Sequence, residues 1–318
     1  MRFFLSIMVA AAFLMPLTTS AAVIAPLPVT IRIGSSYNDS NVEAYYAVAN
    51  GFFKQVGLNV EMTAFNNGAA AAAALASGAL DVAVQPPMQV AQAVIGGLPF
   101  VVVAAGAINS VSAPAAWVCV SATSPIRTAK DLEGKTIAIN SLKSSSQNLL
   151  DAWLAKEGAD LSKIHFLELP SAQMAPALQR GTVDAVELFE PAFTVAKASG
   201  NVRVLAIPTA AMAAPRDEFL QTTWYTTKQF ATQNREAIRR FASAIYMAAR
   251  WANAHPHDSG VILAELSKLD PGIVATMTRA RYAESLQPRD LLPELDNGFK
   301  FGLLSRPVSP TELLNTSL

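Results

Sequence analysis

The residue types best suited to chemistry sit in short polar stretches that follow apolar runs. "NSLKSSSQNLL" begins at Asn140 and sets three serines, Ser144, Ser145 and Ser146, at the head of a helical segment. Hydroxyls beside the unpaired N–H groups of a helix start suit a sulfonate, carboxylate or phosphate, with Lys143 adjacent. Capping alone needs only one serine. "FNNGAAAAAALASG" places Asn66, Asn67 and Gly68 ahead of six alanines. Asparagine can cap N–H groups, and glycine lets a ligand approach the backbone; an ordinary capped core helix would use the same residues. The alanines make a thin helix able to lie close to a sheet. "VELFEP" sets Glu187 and Glu190 three apart. Strand alternation turns them to opposite sides, so no acid–base pair is implied. Glu190 before Pro191 suits a helix start, or a ligand amine or amide. Ser35–Asp39 and Gln85–Met88 are further polar loops. Tyr37, Trp224 and Tyr225 offer flat faces, for a ligand wall or for the core.

Covalent and metal chemistry find little support. Cys119 is the only cysteine, lies in "AWVCVS", and reads as a small apolar residue of a buried strand. There are three histidines. His165 falls in a strand, and His255, His257 and Asp258 in "HPHD" read as a solvated loop in preference to a metal site. No G-x-S-x-G, H-E-x-x-H or Walker pattern occurs. No catalytic residue, metal or cofactor is expected.

Something must hold those loops in register. Short β-branched runs such as "VTIRIGSS", "LNVEMTAF" and "LDVAVQ" alternate with helical segments, which predicts largely parallel sheets covered by helices. The alternation breaks at "NSVSAPAAW", resumes from Trp117, and breaks again at "PTAAMAAPRDEFLQTT". "WYTTKQF" then reads as extended, ahead of a long amphipathic helix. Two lobes with two crossings follow, 27–112 with 222–318 as lobe one and 113–221 as lobe two. The halves echo each other: "ALASGALD" and "ALQRGTVD" share A-L-x-x-G-x-x-D. Gly78 and Gly181 are predicted to end helices, and Asp81 and Asp184 to cap turns. In open α/β sheets ligands gather beyond the carboxyl ends of the strands, where the polar loops lie.

The 318 residues carry 24 basic and 24 acidic side chains, and 52% are hydrophobic. That balance excludes a disordered chain and gives no attraction for nucleic acid or an anionic membrane. "MRFFLSIMVAAAFLMPLTTSAA" has one basic residue, an apolar run short of the roughly 20 residues a spanning helix needs, and small residues at its end. It reads as a signal peptide over 1–22, cleaved on export.

From Arg32 to Pro256 the chain resembles the periplasmic solute-binding proteins of ABC importers, in the sulfonate, taurine, nitrate and thiamine-precursor group. The resemblance is carried by "NGFFKQVGLNVEMTAFNNGAAAAAALASGALDVAVQPP", "GLPFVVVAA", "SPIRTAKDLEGKTIAIN", "SSSQNLLDAWLAKEG", "LQRGTVDAVELFEP" and "YMAARWANAHP". It implies an α/β, two-lobed type II periplasmic binding protein, each lobe a mostly parallel sheet flanked by helices. It implies a cleft lined by Ser35, Ser36, Tyr37, Asn66, Asn67, Gln85, Asn140, Ser144, Ser145, Glu187, Glu190 and Trp224. It further implies a monomeric periplasmic receptor that hands a small organic solute to a membrane permease. Sulfonate, aromatic acid and pyrimidine-like ligands stay open. The alternative is a small-molecule enzyme on the same fold. The iron-dependent thiamine-pyrimidine synthases of that fold use a cysteine-rich stretch, which a chain with Cys119 alone does not have.

Overall fold

The computed structural model of the chain describes residues 29–65, 67–213 and 215–314. The expected signal peptide, 1–22, and Asn66 lie outside the described residues. The first half runs β1 (Val29–Ser35), α1 (Glu43–Ala49), α2 (Phe52–Gln55), β2 (Leu58–Ala64), α3 (Gly68–Ala76), β3 (Val82–Gln85), α4 (Pro87–Ile95), β4 (Phe100–Ala105) and β5 (Ala107–Ser110). Next come β6 (Ala116–Ser121), β7 (Thr136–Ile139), α5 (Ser145–Lys156), β8 (His165–Glu168), α6 (Ser171–Gln179), β9 (Ala185–Phe189), α7 (Ala192–Ala198) and β10 (Val202–Ala206). The chain then returns through α8 (Thr209–Ala213), β11 (Glu218–Leu220) and β12 (Thr223–Thr227). It finishes with α9 (Lys228–Gln233), α10 (Arg235–Ala254), α11 (Pro256–Ser267), α12 (Pro271–Thr276), β13 (Arg281–Tyr282), α13 (Leu292–Lys300) and α14 (Pro310–Leu313).

Two five-stranded sheets share one plan. The first has the order β2-β1-β3-β12-β4 and the second, read from its other edge, β8-β7-β9-β6-β10. In each, four strands run one way and the fourth in order is reversed, β12 in the first and β6 in the second. The reversed strands are the ones the chain enters after crossing between lobes. The crossings pair with each other: β5 and β11 are antiparallel, with Ile108 opposite Leu220, and β13 completes a three-stranded sheet. The sequence reading leaves 109–117 and 208–223 irregular, because strands of three or four residues bearing Asn109, Ser110 and Glu218 carry no alternation. "WYTTKQF" is also corrected: the strand stops at Thr227, whose hydroxyl accepts from the Phe230 N–H at 3.1 Å and starts α9.

The repeated aspartates do the same work in both halves. Asp81 accepts the Arg32 backbone N–H at 2.8 Å and returns its own N–H to the Arg32 carbonyl. Asp184 does likewise with Thr136, at 2.9 Å. The turn-capping role therefore extends to fastening a neighbouring parallel strand. Gly78 and Gly181 end their helices at φ 76° and 69°, a left-handed backbone that glycine adopts without strain.

Each sheet has a core on both faces. Ile31, Ile33, Phe53, Trp224 and Phe241 pack on one side of the first sheet, and Leu75, Met88, Tyr225 and Leu295 on the other. Trp224 and Tyr225 are adjacent in a strand, so they belong to opposite cores. In α3 only Ala71 and Leu75 are buried, and small side chains let the helix lie on β3 and β12. In the second sheet Val118, Ile137 and Leu150 oppose Trp117, Cys119 and Met174 across the strands. Cys119 is fully buried and desolvation pushes its thiol up to about 12, so it packs as an apolar residue.

Candidate ligand-binding site

The loops that leave the carboxyl ends of β1, β2, β3, β7 and β9 carry most of the expected site. Four members keep polar or aromatic groups toward solvent. Tyr37 is 40% exposed and lies over Tyr45 at 5.1 Å between ring centroids. Ser36 is half-buried, and its hydroxyl accepts from the Asn38 and Asn41 amides, each at 2.9 Å. Asn67 is exposed and caps α3, accepting from the Ala70 N–H at 2.8 Å. Asn140 is exposed at the end of β7.

Other expected members are committed to the protein itself. Trp224 is fully buried and donates its indole N–H to Glu43 at 2.8 Å, so it is a core residue and not a cleft wall. Ser35 is buried and donates to the Asn41 carbonyl at 2.6 Å, which closes its own loop. Gln85 is buried and donates its amide to the Gly68 carbonyl. A Cβ on Gly68 would sit 2.9 Å from that amide. The close approach glycine permits here is that of Gln85, not of a ligand. Ser144 is the buried cap of α5 and donates to the Ser141 carbonyl at 2.7 Å. Glu187 is fully buried beneath α5 and accepts from Ser146. The strand alternation that separates it from Glu190 also turns it into the core.

Glu190 and Ser145 join the lobes. Glu190 accepts from the N–H and hydroxyl of Thr194, capping its own helix, and from the Thr278 N–H at 3.1 Å across the interface. Ser145 lies within hydrogen-bond distance of Gln89 on α4, at 2.8 Å, and of Glu294 on α13, at 2.5 Å. Gln92 donates to the Lys143 carbonyl at 2.9 Å. Thus the first turns of α4 and α5 do meet, and protein side chains bridge the junction. Sequence reasoning missed Gln89, Thr278 and Glu294. One signal for Glu294 exists: it shares a helical stripe with Leu291, Leu295 and Gly298, where an acid is out of place.

Burial also sets the acids. Desolvation raises Glu187 and Glu43 well above the usual carboxylate range, the latter despite the Trp224 hydrogen bond. A buried acid held above its unfolded value binds its proton more tightly in the fold. Its penalty is absent below about pH 4.5 and grows as pH rises toward the folded value. Glu187→Gln keeps an acceptor for Ser146 and needs no proton. Urea unfolding at pH 5 and pH 8 should show the variant gaining on the native protein by up to about 1.4 kcal/mol per pH unit. Equal slopes would place the ionised form of Glu187 comfortably in the fold.

The histidines stand apart from these loops. His257 meets Asp258 at 3.1 Å and His255 meets the Trp251 carbonyl at 2.8 Å, at the exposed head of α11. A shallow groove of about 390 Å³ on lobe one, lined by Val103, Arg239, Ala242, Ser243, Tyr246 and Arg250, shares no residue with the loops.

Mirrored lobes with one reversed strand each, paired crossings and helix starts turned to a common interface define the two-lobed periplasmic binding-protein fold. The family described as "NMT1/THI5 like" matches residues 38–259, and the chain belongs to that family. The taurine-binding periplasmic protein of Escherichia coli (strain K12) is 26% identical over 228 residues, 71% of this chain and 68% of its own. A protein of the same organism named for binding aliphatic sulfonates is 38% identical over 88 residues, so the match spans 28% of this chain and only 27% of that relative. The crystal structure of the periplasmic aliphatic sulphonate binding protein SsuA from Escherichia coli superposes with a TM-score of 0.76 at 20% identity, over 91% of this chain and 92% of that one. These relatives are named as binding proteins, not as enzymes, and the α/β two-lobed expectation is borne out.

Proposed function

We propose that this chain is an extracytoplasmic receptor that closes on a small sulfonate-type solute and presents it to the membrane permease of an ABC importer. The carrying observation is the direct meeting of α4 and α5, one from each sheet, through Gln89 and Ser145. Helix starts of both lobes thereby face one another, as a clamp requires. Support for the ligand class comes from the sulfonate and taurine relatives and from the loops that stay open. The exposed start of α3 offers backbone amides that no helix turn can satisfy, beside Asn67. Ser36 and Asn140 add polar contacts, and Tyr37 adds a face for an alkyl or aromatic portion. Residues 27–112 and 222–318 would move against 113–221, after removal of 1–22 on export, in a monomeric receptor.

The test is thermal unfolding of the exported form with taurine, alkanesulfonates, aromatic acids and pyrimidines. A true ligand at one hundred times its dissociation constant should add about 2.7 kcal/mol of stability. Asn67→Leu should weaken that effect while the protein still folds. Stabilisation by none of these compounds overturns the reading, and an unaffected Asn67→Leu overturns the placement.

A further inference from the structure

Glu294 stands on the inner face of α13, 2% exposed, where the two lobes touch. Its Oε2 lies 2.5 Å from the Ser145 hydroxyl of α5 and 3.4 Å from the Met88 N–H of α4. Its backbone carbonyl accepts from the Asn148 amide of α5 at 3.0 Å. The Ser145 hydroxyl is also 2.8 Å from Gln89 Oε1. A serine has one hydroxyl proton, and here two acceptors compete for it. With the Gln89 amide in this orientation, a proton on Glu294 resolves the conflict. The acid then donates to Ser145, and Ser145 donates to Gln89, so one chain binds α13, α5 and α4.

We propose that Glu294 is a proton-operated tie between the lobes: protonated, it completes the Glu294–Ser145–Gln89 chain and holds them together, and ionised, it releases them. Burial supports this, pushing the Glu294 carboxyl up to about 7 against the opposing hydrogen bonds from Ser145 and Met88. No cation on the elements packed around it offsets that burial. Helices α4 and α8 carry no titratable side chain. Helix α5 brings Asp151, itself raised to about 7 by desolvation, and Lys156, whose amine reaches the Ala210 carbonyl at 3.2 Å. Strand β11 brings Glu218, which faces Arg281 at 3.5 Å, and the turn at 288–290 brings Arg289 and Asp290, the latter paired with Arg216. On its own helix are Asp296 and Lys300, and behind Ser146 lies Glu187.

The sign follows from the raised value. An acid of ordinary strength when the lobes part, but near 7 when they meet, favours contact at low pH. Between pH 5.5 and pH 8 the ratio of parted to joined molecules should rise about 25-fold. Spin labels on Ala73→Cys and Gln173→Cys, exposed positions in opposite lobes, report the separation, and buried Cys119 is shielded from the label. The distance distribution of the full exported chain, with no ligand added, should lengthen with pH. It should stay joined at both pH values in Glu294→Gln, whose amide donates to Ser145 without titrating. In Ser145→Ala, which removes the shared hydroxyl but leaves the burial, the pH response should persist while the joined fraction at pH 5.5 falls. An unchanging native distribution overturns the proposal, as does an equal pH response in Glu294→Gln or an undiminished joined fraction at pH 5.5 in Ser145→Ala. If the glutamine variant does not fold, the joined fraction of Ser145→Ala at pH 5.5 decides alone. Because no ligand enters the measurement, its failure leaves the receptor reading intact, and failure of the ligand screen leaves the tie intact.

Discussion

Asp39→Ala is expected to destabilise the fold by about 2–4 kcal/mol, toward the cost of stripping a buried cation of its partner, because Arg279 is mostly but not fully buried. Asp39 and Arg279 are 240 residues apart in sequence, and their side chains are 10% and 15% exposed. Arg279 presents Nε at 3.0 Å and Nη2 at 2.8 Å, one to each carboxylate oxygen. The Ala280 N–H reaches Asp39 at 2.6 Å, and Arg279 also donates to the Tyr46 hydroxyl at 3.0 Å. Desolvation opposes the charge on Arg279, and Asp39 more than restores it. Alanine leaves a guanidinium with only neutral acceptors and frees the loop behind β1. Urea unfolding measures the effect. Adding Arg279→Met should recover a large part of the loss, because an apolar side chain then fills the site. A single variant losing less than 1 kcal/mol would mean that the pair behaves as an exposed one.

The second large effect belongs to Trp224→Ala, expected to cost about 3–5 kcal/mol through the cavity left beside Phe241. The indole is fully buried, packs edge-on to Phe241 at 5.6 Å, and donates to Glu43. Trp224→Phe keeps most of the volume and loses the N–H, so about 1–3 kcal/mol is expected. Ligand affinity separates core from cleft wall. Measured at a temperature where the variants remain folded, it should be unchanged in Trp224→Phe. A tenfold loss in that variant would return Trp224 to the site.

Much of the architecture was legible because it rests on local rules. Alternating strand and helix signals, the A-L-x-x-G-x-x-D repeat and the glycines that end helices all act over a few residues. Apart from the end of β12, which stops at Thr227, each was found where the pattern set it. The crossings were not legible, since β5 and β11 are strands only by virtue of pairing with each other. The candidate site divides along the same line. That Asn67 and Ser144 would cap helices follows from side-chain type and position. Whether a polar group faces a ligand or the protein depends on what the other half of the chain brings to it.

The sequence by itself determined two α/β lobes, their mirrored strand–turn units and the polar loops at the strand ends. Periodicity and turn chemistry are properties of short segments, so they survive without knowledge of contacts. Only the tertiary structure decided that Trp224, Gln85 and Glu187 turn inward while Tyr37, Asn67 and Asn140 remain accessible. Only it brought Glu294 from the far end of the chain to Ser145. Burial and partner choice are set by groups dozens to hundreds of positions away, and no local pattern encodes that distance.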